Sequence, residues 1–264
     1  MRQTRLPPRI VALRALPCAW MAAAGLAPVA VRAEPVSAVV EMFTSQGCTA
    51  CPAAEPVMRD LAHKPGIVAL TLPVTYWDYL GWHDTLGLRA HNERQRAYAR
   101  ARGARQVMTP QAIVDGTAAA IGSNRPAVER LLREAGQTTP LPVPVRAEVQ
   151  GNRIVVEVGA SEPAVPVPAK AGKLDGKDEV WLVPLLKRRE TEVEGGENDG
   201  RVATYVNVVR GLERLGTWTG QAARFEVPLS AAAVAQADSW VVLVQHAREG
   251  RPGRILGAAK GPGL

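Results

Sequence analysis

Val40-Glu41-Met42-Phe43-Thr44-Ser45-Gln46-Gly47-Cys48-Thr49-Ala50-Cys51-Pro52 is the stretch that decides how this chain folds. Residues 38–44 form a short apolar, β-branched run, the pattern of a buried strand. Residues 51–63 read as a helix, with Val57, Met58 and Leu61 on one face. Cys48 and Cys51 therefore stand where a strand ends and a helix opens. A sulfur at a helix N-terminus meets unpaired backbone N–H groups and the positive end of the dipole, and both favour the thiolate. The two-residue spacing lets the second sulfur attack a mixed disulfide made by the first. Cys48 thus reads as the nucleophile and the more exposed of the two. Cys51, inside the helix, reads as the resolving thiol.

Downstream, residues 67–75 form a second apolar run. Tyr76, Trp77, Tyr79 and Trp82 follow, with Asp78, His83 and Asp84 between them. Residues 88–102 read as a polar, Arg-rich helix. Thr109-Pro110 precedes a short strand, Ala112-Ile113-Val114, which turns at Asp115-Gly116 into a hairpin partner over 118–122. Ser123 or Asn124 caps a last helix with Pro126 near its first turn, and Val128, Leu131 and Leu132 form its buried face. The order β-α-β-α-β-β-α predicts an α/β domain over 36–137. A Pro-rich linker over 138–144 separates it from a β-rich, sandwich-like domain over 143–264. Seven strands are predicted there, near 143–149, 153–159, 179–190, 202–210, 222–229, 239–247 and 253–259. An open sheet packed on the first domain is the alternative arrangement.

The full chain has 264 residues, 32 Lys+Arg against 25 Asp+Glu, and a formal charge of +7. Arg2, Arg5, Arg9, Arg14 and Arg32 lie in the first 33 residues, which hold no acid. The remainder carries about +2, too little for a nucleic-acid partner. Residues 1–33 have a basic start, a mostly apolar stretch and Val31-Arg32-Ala33 before Glu34. That layout predicts a signal peptide cleaved after Ala33 and a periplasmic or secreted protein. Cleavage discards Cys18 and leaves Cys48 and Cys51 in an oxidising compartment. Beyond residue 33 no stretch offers the ~20 apolar residues of a transmembrane span.

The Cys-x-x-Cys at a helix start, Pro56 five positions after Cys51, and Thr109-Pro110 before a hairpin and last helix resemble thioredoxin. In that fold a proline kinks the active-site helix at the spacing of Pro56, and a cis-proline loop faces the disulfide. The resemblance implies a cis Thr109–Pro110 bond beside Cys48 and Cys51. The sequence departs from thioredoxin in having Thr49-Ala50 between the cysteines, Gln46-Gly47 in place of a tryptophan, and a long segment before Pro110. A closer resemblance is to exported bacterial thioredoxin-like proteins, domain of unknown function 1223. It is carried by the opening stretch, Tyr76-Trp77-Asp78-Tyr79-Leu80-Gly81-Trp82, Arg94-Gln95-Arg96-Ala97-Tyr98 and Thr109-Pro110-Gln111. Gly196-Glu197-Asn198, Asn207-Val208-Val209, Gln245 and Leu256-Gly257-Ala258-Ala259 extend it to the C-terminus. It implies fold and export more firmly than activity. Met108 stands where an aromatic residue is expected.

These readings predict thiol–disulfide exchange on exported proteins or on small thiols and disulfides, with a redox-active Cys48–Cys51 disulfide and no other cofactor. Thr109 and Pro110 would pair with an extended substrate, and Tyr76, Trp77 and Trp82 would line one wall of its groove. Two rival readings of the pair stay open. One is a structural staple in a binding or assembly module. The other is half of a copper(I) or zinc site, although no second cysteine pair exists and His63, His83, His91 and His246 are scattered. Glu41 could take protons from the thiols, but a solvated or edge carboxylate is the plainer reading. Arg94, Arg96, Arg100, Arg102 and Arg105 read as a solvated helix face. The acidic loop over 192–199 reads as a hairpin or long connection rather than a calcium site.

Overall fold

A computed structural model describes residues 35–138, 141–161, 178–248 and 251–264. The expected signal over 1–33, with Cys18, lies outside these residues, as do Thr139 and Pro140 of the expected linker.

Strand β1 (Ala38–Thr44) is buried at all seven positions because it is paired on both sides and covered on both faces. Strand β2 (Ile67–Pro73) runs parallel to it, in register from Ala38 opposite Ile67 to Thr44 opposite Pro73. On the other side β3 (Gln111–Val114) pairs antiparallel and continues through a tight turn into β4 (Ala118–Ile121). Helix α1 (Glu55–Ala62) follows a single 3-10 turn, Cys51–Ala54. Its Val57, Met58 and Leu61 pack with Val40 and Met42, the even residues of β1. Val128 of α3 (Arg125–Thr138) joins them, and Asn124 Oδ1 caps that helix by accepting from the Ala127 N–H at 3.1 Å. Helix α2 (Arg89–Ala101) places Tyr98 against Val39 and Phe43, the odd residues of β1. Strand alternation thus assigns α1 and α2 to opposite faces.

The C-terminal strands are β5 (Val145–Gln150), β6 (Arg153–Val158), β7 (Asp178–Glu192), β8 (Val202–Val209), β9 (Glu213–Trp218), β10 (Ala223–Pro228), β11 (Ser239–Arg248) and β12 (Arg251–Lys260). They correct the expected division. One sheet runs β12-β11-β7-β8-β2-β1-β3-β4, with β9 also paired to β7, so the 138–144 segment does not separate two sheets. The joint is β2 against β8, parallel, with Thr71 opposite Val208. Thr71 Oγ1 donates to the Val206 carbonyl at 2.6 Å, and Asn207 Nδ2 donates to the Ala69 carbonyl at 2.9 Å. Asn207 is in the left-handed region, φ 49°, which Asn tolerates better than most residues. These side-chain bonds supplement a short ladder.

Among the described residues, a sandwich is formed where the second sheet, β10-β6-β5, covers one face of β7 and β11. Val180, Leu182, Val242 and Val244 meet Ile154, Val156 and Val158 there. Their neighbours Val183, Leu185, Val241 and Leu243 join Val39, Phe43 and Tyr98 in another cluster. The protein is therefore a mixed, sheet-rich α/β structure built on one continuous sheet.

Candidate functional site

Beyond β1 the chain turns at Ser45–Cys48 and enters the 3-10 turn at Cys51. The Cys48 N–H donates to the Ser45 carbonyl at 3.3 Å, and the Cys51 N–H to the Cys48 carbonyl at 3.0 Å. Both cysteines are free thiols, Cys48 3% and Cys51 1% exposed, and Thr49 and Ala50 between them are exposed. The Cys51 thiol donates to Cys48 and, against the opposing effect of burial, holds the Cys48 thiol down to about 6. Thr109 and the backbone N–H groups of Ala50 and Cys51 act in the same direction. Burial, and then its bond to Cys48, push Cys51 the other way. The two thiols are thus shifted in opposite directions, Cys48 toward the thiolate and Cys51 toward the protonated form.

Thr109 and Pro110 lie across from the thiols. The Thr109–Pro110 bond is cis, and the Thr109 carbonyl is 3.6 Å from Cys48 Sγ. Trp77 donates its indole N–H to Thr109 Oγ1 at 2.7 Å, which leaves the hydroxyl proton free to turn toward sulfur. Tyr76 donates to Gln95 Oε1 at 3.0 Å. Gln95 Nε2 in turn donates to the Met108 carbonyl at 2.8 Å and to Gln111 Oε1 at 3.0 Å, fixing the chain on both sides of Pro110. Burial raises the Tyr76 phenol to about 12, so it stays a neutral donor. Tyr79, 77% exposed, stacks on Trp77 with ring centroids 6.3 Å apart. Met108 is 48% exposed.

Trp82, expected to line the groove with Tyr76 and Trp77, contacts the loop that precedes Cys48. Its indole N–H donates to Gln46 Oε1 at 2.8 Å, so it clamps the loop on the N-terminal side of Cys48. Asp84 Oδ2 accepts from the Gln46 N–H at 2.8 Å in the same clamp. From the other half of the chain, Asn198 Nδ2 donates to the carbonyls of Gln46 at 2.7 Å and Cys48 at 2.9 Å. Gln95 and Asn198 both lie in segments that carry the family resemblance, which is the signal the sequence offers for them.

Two expectations are corrected. Glu41 is neither solvated nor at an edge: it is 1% exposed and bound by Arg94, with Nε 2.5 Å from Oε1 and Nη2 3.1 Å from Oε2. Tyr98 O–H donates to the same carboxylate. Glu41 shares its face with α2, not with the helix that opens at the cysteines, because it is an odd residue of β1. Arg94 is accordingly buried rather than part of a solvated face, while Arg96, Arg100 and Arg105 are exposed. The loop after β7 is a hairpin connection to β8, as read.

Residues 39–245 match the family described as "Protein of unknown function (DUF1223)". The chain belongs to the DUF1223 family. This DUF1223 protein is similar to an Agrobacterium tumefaciens protein whose X-ray structure was determined as a structural-genomics target. The two share 31% identity at a TM-score of 0.75, over 88% of this chain and 96% of the other. HBP35 of Porphyromonas gingivalis is similar in fold, with 12% identity and a TM-score of 0.57, over 86% of this chain and 74% of that one. A search of the curated proteins gave no match.

Proposed function

We propose that this DUF1223 protein is an exported thiol–disulfide oxidoreductase with a thioredoxin-like core. The observation that carries the proposal is a free Cys48 thiol hydrogen-bonded by Cys51 at a helix start, 3.6 Å from the carbonyl of Thr109, the residue before a cis-proline. The signal-like composition of 1–33 supports export.

Cys48 thiolate attacks one sulfur of a substrate disulfide. A Cys48–substrate S–S bond forms, and the other substrate sulfur leaves as a thiolate and takes up a proton. Cys51 then gives up its proton and attacks Cys48 Sγ, closing the Cys48–Cys51 disulfide and releasing the second substrate thiol. The substrate gains two electrons and the protein loses two; the reverse sequence oxidises a dithiol. Thr109 offers backbone to an extended segment, with Trp77 and Tyr76 holding it in place. Entry is beside exposed Thr49, Ala50, Met108 and Tyr79, since the sulfurs themselves are covered.

The test is exchange with a disulfide-bonded peptide. Cys48→Ser should abolish turnover, and Cys51→Ala should accumulate the mixed disulfide on Cys48, seen as a mass adduct. Full exchange by Cys48→Ser overturns the proposal.

A further inference from the structure

The loop that carries Cys48 is closed by a residue 150 positions away. Asn198 sits in the short turn between β7 and β8, and both protons of its amide are used, one on each carbonyl flanking Gly47. Two carbonyl acceptors also fix which end of the amide is nitrogen. The turn is interlocked with the aromatic segment. A Cβ on Gly195 would lie 2.9 Å from the Gly81 carbonyl, and one on Gly196 would lie 3.1 Å from the Leu80 carbonyl and from Trp82 Cβ. Gly196 also has φ +70°. Gly47 is similarly tight, its Cβ position 3.3 Å from the Trp77 carbonyl. Gln46, Gly47 and Cys48 are thus held between the 77–85 segment on one side and the β7–β8 turn on the other.

We infer that Asn198 is a positioning residue for the Cys48 nucleophile, so the C-terminal half of the chain completes the reactive site. The inference rests on the exchange reading given above. The groups that act on the Cys48 sulfur, the Cys51 thiol and the N–H groups of Ala50 and Cys51, are effective only if the Cys48 backbone stays where Asn198 holds it. Without Asn198 the buried Gln46 carbonyl loses its donor and the loop can turn to reach water. Tyr76 and Tyr205 also sense both thiols, and Asn198 bonds to neither.

The test is the rate of iodoacetamide modification of Cys48 against pH in the full chain, mapped by mass spectrometry, with circular dichroism as the folding control. Asn198→Ala should move the half-titration up by about one pH unit, which lowers the thiolate fraction at pH 6 about five-fold. Asn198→Ser, which can serve one carbonyl, should move it in the same direction by less, and decides the matter if the alanine variant does not fold. Folded variants that titrate like the wild type, with the wild type near 6, overturn the positioning role and leave the exchange reading intact. A wild type that titrates at the ordinary cysteine value overturns both.

Discussion

Trp77 donates its indole N–H to Thr109 Oγ1 at 2.7 Å, and Thr109 presents its carbonyl to Cys48 Sγ at 3.6 Å. One aromatic residue outside the Cys-x-x-Cys motif therefore sets the residue that faces it. Trp77→Phe keeps a ring between Tyr76 and Tyr79 but removes the indole donor together with part of the ring. It should cost about 1 kcal/mol in a urea melt. It should also lower kcat/KM for a disulfide peptide about ten-fold, through misplacement of Thr109. An unchanged kcat/KM would show that Thr109 needs no such support.

The separation of the two thiols has a proton-coupled consequence. Below about 6, where Cys48 is protonated, oxidation of the dithiol releases two protons. Above that it releases one, because Cys51 alone still holds its proton. The reduction potential should therefore fall by ~59 mV per pH unit on the acid side and by ~30 mV on the other. In the reduced protein, the lowered Cys48 value stabilises the fold above the ordinary cysteine range, and that stability is lost as pH falls through about 6. A slope that changes near 8.5 instead would place Cys48 at its ordinary value.

Glu41 and Arg94 form a buried pair that also engages Tyr98 and Gln245. Glu41→Leu leaves the Arg94 charge uncompensated in the interior and should cost about 3–5 kcal/mol in a denaturant melt. Adding Arg94→Met should recover much of that loss. Exchange rates of the folded double variant should match wild type, because the pair faces α2. A ten-fold loss of exchange in that variant would reinstate Glu41 as a proton acceptor for the thiols.

The continuous sheet predicts that residues 36–137 do not fold alone. Removing the C-terminal half uncovers the edge of β2 and strips Val183, Leu185, Val209, Val241 and Leu243 from the cluster around Phe43 and Tyr98. The fragment should show no cooperative thermal transition by circular dichroism. A sharp transition would restore an independent domain.

The elements closest to the cysteines were legible in the sequence because their signals are local. The run over 38–44 matches β1, the cysteines open a helix, and the Asp115-Gly116 turn joins β3 to β4. What was not legible depends on distant partners. The continuous apolar run over 180–186 in β7 marks it as covered on two faces but does not say that its neighbour β8 will pair with β2. β9 gives little signal because Glu213-Arg214-Leu215-Gly216-Thr217-Trp218 alternates poorly and has a glycine inside it. The face of Glu41 could not be read because every residue of β1 is buried, so no polar side reveals the register. Asn198 lay hidden in an acidic turn whose composition marks only a connection.

The central claim is that Cys48 and Cys51 exchange electrons with substrate rather than staple the fold. Its most direct test is the reduction potential of the pair at pH 7, from glutathione or dithiothreitol buffers with alkylation and mass spectrometry. The account predicts a value between about −270 and −120 mV, the range of working thiol–disulfide catalysts. A value below about −300 mV, the range of structural disulfides, would contradict it.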